Sequence, residues 1–166
     1  MGRDKARLPF RGGTLSSAVA DAVREAAGSP ILVGNPELGG ISDRYPGEGP
    51  LGGILTALEH TAAEWNLIVA CDLPEVTGAF LRNLLEEAEA KGCDALLPHR
   101  QGGRPEPLCA VYRRDALERI AEQFAAGIRK VAAGLEGLDV YHLEVREALP
   151  FQNVNTPEDW ADYAAG

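Results

Sequence analysis

Residues 66–74 read NLIVACDLP, an unbroken apolar run from Leu67 to Cys71 that ends abruptly in the carboxylate of Asp72. A strand facing water on one side would alternate; a continuous apolar run is the pattern of a parallel strand covered on both faces. In open sheets of such strands, ligands bind beyond the carboxyl ends. The same stretch therefore gives the fold reading and the first site candidate, Asp72.

Working outward, helical and strand patterns alternate along the chain. Thr14 can cap a helix running to about Ala27, with Leu15, Val19, Val23 and Ala26 on one face and Gly28 as its stop. PILVGN then reads as a short buried strand, and ILTALEHTAAEW, ahead of the central run, has helical spacing. Thr77 caps the next helix, whose Phe80, Leu81, Leu84, Leu85 and Ala88 form an apolar stripe ended by Gly92. DALLPH and PLCAVY read as two further strands, followed by helices near 115–125 and 128–135 and the alternating strand VYHLEV. Thr156 as N-cap, Pro157 at the first helical position and Asp159 in the capping-box position start a last helix. Helices between strands in this order imply βαβ crossovers. The expected architecture is a Rossmann-like three-layer α/β/α sandwich with a mostly parallel sheet, formed as a single domain over residues 1–166.

Composition narrows the function classes. At 166 residues, 45% hydrophobic and 25% charged, the chain can build a core and is not of disordered composition. A formal net charge of −9 opposes binding to nucleic acid, where neutralising phosphates supplies most of the affinity. No stretch approaches the ~18 apolar residues of a membrane span and the opening lacks a signal-peptide core, so a cytoplasmic protein is expected. Cys71, Cys93 and Cys109 lack metal-site or disulfide spacing and are read as buried small apolar residues. His60, His99 and His142 show no metal-triad spacing and are read as structural.

Three features carry chemistry. Asp72, at a strand mouth, suits Mg²⁺, which takes one or two carboxylates together with substrate phosphates and waters; the plain alternative is a solvated aspartate capping the next turn. DRYPGEGPLGG, residues 43–53, has four glycines and two prolines, so backbone can approach a ligand closely, and the helix starting near Pro50 offers its positive end to an anion. The opening thirteen residues, MGRDKARLPFRGG, place Arg3, Lys5, Arg7 and Arg11 against a single acid, Asp4, in an acidic chain. It is either a frayed tail or the second half of a phosphate-binding loop.

Taken together, MGRDKARLPF, GEGPLGGILTAL, ACDLP, RPEPLCAVY and NVNTPEDW resemble, in order and approximate spacing, the molybdenum cofactor guanylyltransferase family of nucleotidyltransferases. ACDLP alone fits many nucleotidyltransferases; GPLGG followed by NVNTPED is more specific. The resemblance implies transfer of GMP from GTP to molybdenum-bound molybdopterin, with Mg²⁺ as cofactor and pyrophosphate released. The implied partners are those two small molecules and other molybdenum cofactor proteins, without nucleic acid or membrane.

Carried onto this sequence, the resemblance makes Lys5 the triphosphate contact and Asp72 the magnesium ligand. Asn35, with an ambiguity of one residue toward Gly34, and Asp43 take the guanine nucleoside. Arg104 and Pro105, with Pro107, fall on the cofactor side. Asn153 and Asn155 close the site near the reacting phosphates, and Asn155 can offer the metal a second oxygen. The residues themselves do not separate GTP from CTP. A related cytidylyltransferase or sugar-phosphate nucleotidyltransferase stays open as an alternative, as does a nucleotide-fold binding protein without catalysis.

The resemblance also implies that a buried strand and a loop of the form L-A-G-G-x-S-x-R precede the position of Met1, roughly fifteen to twenty residues whose backbone N–H groups would cradle the triphosphate. The 166-residue chain, expressed as written, is accordingly expected to be unstable or inactive.

Overall fold

The computed structural model describes residues 9–10 and 12–146. A two-residue hairpin, β1 (Pro9–Phe10) against β2 (Gly13–Thr14), leads into helix α1 (Leu15–Ala27). Then follow α2 (Pro50–His60), β3 (Trp65–Val69), α3 (Gly78–Lys91), β4 (Ala95–Arg100), β5 (Cys109–Arg113), α4 (Ala116–Ala125), α5 (Val131–Gly134) and β6 (Val140–Val145).

The helix ends follow from local chemistry. Thr14 Oγ1 accepts a hydrogen bond from the Ser17 N–H and Ser17 Oγ accepts one from the Thr14 backbone N–H, a reciprocal cap that satisfies two otherwise orphaned donors. Thr77 Oγ1 accepts from the Phe80 N–H (3.2 Å) at the start of α3. Gly92, at φ 65°, ends α3 in the left-handed conformation that glycine adopts without a Cβ penalty.

The main sheet has the order β3-β5-β4-β6. β4 and β6 are parallel, and β5 is antiparallel to both β3 and β4. Three of the four strands thus run in one direction and β5 alone opposes them. Alternate strand residues feed two cores: Ala95, Leu97, Ala110 and Tyr112 pack against α2, α4 and α5, while Leu96, Cys109 and Val111 pack against α1 and α3. This is the expected three-layer sandwich. Tyr112 is fully buried, with its hydroxyl donating to the Pro107 carbonyl (2.8 Å), so the large ring brings no unpaired polar atom into the core.

Five readings need correction. The apolar run read as a parallel strand covered on both faces forms β3, whose partner among the described residues, β5, is antiparallel and whose five residues are all only half-buried. PILVGN forms no ladder strand: among the described residues it makes only an isolated bridge between Val33 and Ile41, because no neighbouring strand offers it a ladder. The helical spacing of ILTALEHTAAEW overruns, since α2 begins at Pro50 and stops at His60, with Thr61 already extended. Cys71 is half-buried at the strand mouth, not buried like Cys93 and Cys109. The second short helix, expected over 128–135, contracts to Val131–Gly134. The helix expected at Thr156 lies outside the described residues.

Candidate active site

Asp72 stands where the reading put it, three residues past the end of β3. Ladder bonding continues just beyond β3, with the Ala70 N–H donating to the Leu108 carbonyl (2.7 Å), and the chain then turns. The Asp72 carboxylate makes no hydrogen bond or ion pair with any described residue and is half-buried. An acid capping the next turn would have a backbone donor, and among the described residues Asp72 has none.

Asp43 is held quite differently. Its Oδ1 accepts from the Tyr45 backbone N–H and from the Thr56 hydroxyl, both at 2.9 Å, and Thr56 in turn accepts from the Arg44 N–H (3.1 Å). Thr56 is buried in α2, so the rigid helix fixes the loop that carries Asp43. Gly34 lies beside it: a Cβ there would come to 3.9 Å from the Asp43 Cβ. Asn35 follows as the N-cap of a 3-10 turn, Pro36–Leu38, and its carbonyl accepts from the Leu38 and Gly40 N–H groups. The two candidates for the nucleoside side, Asn35 and Asp43, are thereby brought close in one loop system.

The glycine-rich segment is clamped from both ends. Tyr45 donates its hydroxyl to Glu59 Oε1 (2.9 Å), and Arg44 pairs with the other oxygen of Glu59 (2.7 Å). The hydrogen bond to Glu59, followed by burial, raises the Tyr45 pKa. Glu48 pairs with Arg129, whose guanidinium lies 3.9 Å from the Phe124 ring centre and donates to the Phe124 and Ile128 carbonyls. Gly52 admits the loop to the helix, because a Cβ there would meet the Tyr45 Cβ at 2.9 Å; a Cβ on Gly53 would meet nothing within 4 Å. Gly53 is the open position of the helix start, and α2 has no side-chain cap to occupy its first-turn donors.

Arg104 and Pro105 lie on the exposed connection between β4 and β5, where Pro105 bridges to His99. They share the end of the sheet at which β3 and β4 terminate, and the connection also carries Glu106, which the sequence reading did not single out. Burial pushes the Glu106 carboxyl up, against the opposing charge of Arg100. Its signal was legible in retrospect: a carboxylate in RPEPL directly ahead of an apolar strand mirrors Asp72 directly after one. Among the described residues no cluster of three or more metal-ligating side chains exists. Asp72, without a partner among the described residues, could hold a divalent ion that takes its other ligands from phosphates and water. Lys5, Asn153 and Asn155 lie outside the described residues.

The three-layer sandwich, with Asp72 just past the end of β3, is the Rossmann-like fold of nucleotidyltransferases. The profile of the MobA-like NTP transferase domain matches residues 1–140. The chain belongs to this family. A "Molybdenum cofactor guanylyltransferase" of Xanthomonas euvesicatoria pv. vesicatoria is 34% identical over 170 residues, covering 97% of this chain and 86% of the relative. A "Probable molybdenum cofactor guanylyltransferase" of Methanothermobacter thermautotrophicus is 36% identical, and the match spans 72% of this chain and 63% of that protein. The crystal structure of molybdopterin-guanine dinucleotide biosynthesis protein A from Archaeoglobus fulgidus superposes with a TM-score of 0.83 at 30% identity, covering 97% of this chain and 89% of that one.

Proposed function

We propose that the protein transfers GMP from GTP to the phosphate of molybdenum-bound molybdopterin, releasing pyrophosphate. A phosphate oxygen of the acceptor bonds to the α-phosphorus of GTP as the bond from that phosphorus to the bridging β-oxygen breaks, and the pair of electrons leaves with pyrophosphate. The observation that carries the reading is the Asp72 carboxylate at the mouth of β3, without a partner among the described residues, in a chain of this family.

Because attack joins two anions, the task of the protein is positioning and charge neutralisation. Asp72 would hold Mg²⁺, which when bound supplies Lewis-acid charge neutralisation and a template for the phosphates. Lys5 serves the β- and γ-phosphates as a point charge. Asn35 and Asp43 orient the nucleoside, the second through a carboxylate already fixed by Thr56 and Tyr45. Arg104, Pro105, Asn153 and Asn155 would serve the molybdopterin side. No described helix is long and apolar enough to cross a membrane, and the proposed setting is the cytoplasm, in contact with other molybdenum cofactor proteins.

The test supplies GTP or CTP with Mg²⁺ and molybdenum-bound molybdopterin and measures pyrophosphate. GTP-dependent release supports the proposal. Preferential use of CTP makes the protein a cytidylyltransferase, and nucleotide binding without release makes it a binding protein.

A further inference from the structure

β4 and β6 pair in parallel, with Leu97 opposite His142 and His99 opposite Glu144. Because side chains alternate across a sheet, His99, His142 and Glu144 share one face, the face on which Ala95 and Leu97 enter the core with α2, α4 and α5. Further along the strands that face turns polar: His99 is half-buried, and His142 and Glu144 are exposed. The ring centres of the two histidines lie 6.4 Å apart, with the ring planes at 66°. The register of two strands distant in sequence assembles this pair, so no local spacing announces it.

Local chemistry fixes the state of one ring. His99 Nδ1 lies 3.0 Å from the Arg100 carbonyl oxygen. A carbonyl only accepts, so Nδ1 carries the proton and the neutral ring keeps the lone pair of Nε2 for a ligand. Metal-bound histidines have this arrangement, their far nitrogen donating to a carbonyl, carboxylate or water. His142 has no hydrogen-bonding partner among the described residues, so either of its nitrogens is available. With metal–nitrogen distances of about 2.0–2.1 Å, two imidazoles on one ion have ring centres roughly 5 to 6 Å apart, which a small turn of the exposed His142 ring reaches. Glu144, between His142 and Arg146 on β6, adds a negative charge beside the pair. No third ligating side chain reaches the pair among the described residues, so water fills the remaining positions.

We propose that His99 and His142 form a site for one divalent ion of the Zn²⁺, Cu²⁺ and Ni²⁺ class, and that the bound ion braces the connection between β4 and β5. Imidazole donors select these ions over Mg²⁺, which prefers oxygen, so the site is chemically distinct from one at Asp72. The bracing runs through the Arg100 carbonyl, which accepts from the Gly103 N–H (2.7 Å) as well as from His99. The Glu106 N–H donates to the Pro98 carbonyl (2.9 Å), and Pro105 bridges to His99 itself. A cation on Nε2 makes the Nδ1–H a stronger donor, and this holds the His99 ring and the turn behind it in one position. Neither the ion nor its test involves a nucleotide.

The test titrates Zn²⁺ into the full 166-residue chain, with millimolar Mg²⁺ present to occupy oxygen sites. The chain has 3 histidines, so ring-nitrogen NMR spectra report each of them, and His60, on α2, is the internal control. The expected result is a saturable shift of the His99 and His142 resonances with His60 unmoved and His99 Nδ1 still protonated. His99→Gln and His142→Gln each lower the apparent Zn²⁺ affinity at least about tenfold. Zn²⁺ also slows amide exchange at Gly103 and Glu106 in wild type and not in His99→Gln. Equal shifts of all the histidines, the behaviour of a chain with no organised pair, would overturn the site. So would resonances that do not move, or an affinity unchanged by both substitutions. Zn²⁺ bound at the pair with exchange at Gly103 and Glu106 unaltered would overturn the bracing.

Discussion

A single oxygen of Asp43 receives two hydrogen bonds of 2.9 Å, one from the hydroxyl of Thr56 and one from the backbone N–H of Tyr45. The contact crosses thirteen positions of sequence and ties an irregular loop to the body of a helix. The loop conformation thereby depends on one buried hydroxyl.

Thr56→Val keeps the shape of the side chain and removes the hydroxyl, leaving the Arg44 N–H and one Asp43 interaction unmet. A loss of about 1 to 3 kcal/mol is expected from urea denaturation, with most of it restored in Thr56→Ser. An unchanged midpoint in Thr56→Val would show that the loop is held by the Arg44, Tyr45 and Glu59 contacts alone.

The adjacent glycines of α2 separate packing from ligand approach. Gly52→Ala forces a Cβ against Tyr45 and should destabilise by about 1 to 3 kcal/mol. Gly53→Ala meets open space and should stabilise the helix by up to about 1 kcal/mol, while weakening GTP if nucleotide approaches that face. Thermal melts of the two variants, with and without GTP, check both halves. Equal destabilisation by the two substitutions would contradict the assigned difference.

Much of this architecture was legible because it is local. The Thr14 and Thr77 caps, the Gly28 and Gly92 stops and the apolar face of α3 all rest on residues within a turn of one another. Asp72 was legible because the strand before it is apolar throughout. The direction of β5 was written in the chain too: residues 101–108 are too few for a parallel crossover, which needs a dozen or more. What stayed hidden depends on partners distant in sequence. Residues 30–33 have strand composition yet form no ladder among the described residues, because a ladder needs a neighbour that local pattern cannot report. Likewise nothing in LTALE announces that Thr56 holds Asp43, or that Arg129 reaches back to Glu48.

Glu106 makes a pH prediction whose sign can be worked out. Burial raises its carboxyl above the ordinary value of 4.5 in the folded protein, against the charge of Arg100. The folded state then holds this proton more tightly than the unfolded state, so the stability it contributes is complete below the ordinary range and is lost as pH rises through the raised value. Glu106→Gln removes the titration. Urea midpoints measured from about pH 4 to 7 should show wild type falling relative to Glu106→Gln as pH rises, then running parallel to it. A difference constant across the range would mean that the carboxyl is solvated in the folded state.

The central claim is that Asp72 holds the metal of a guanine nucleotide site, and calorimetric titration of GTP with and without Mg²⁺, on wild type and on Asp72→Asn, tests it most directly. An amide keeps the size of the side chain and removes the charge that a hard cation needs. The account predicts that Mg²⁺ tightens GTP binding to wild type at least about tenfold, a difference near 1.4 kcal/mol, and that Asp72→Asn abolishes this increment while metal-free GTP binding survives, with CTP the weaker ligand throughout. A full Mg²⁺ increment retained in Asp72→Asn would contradict it.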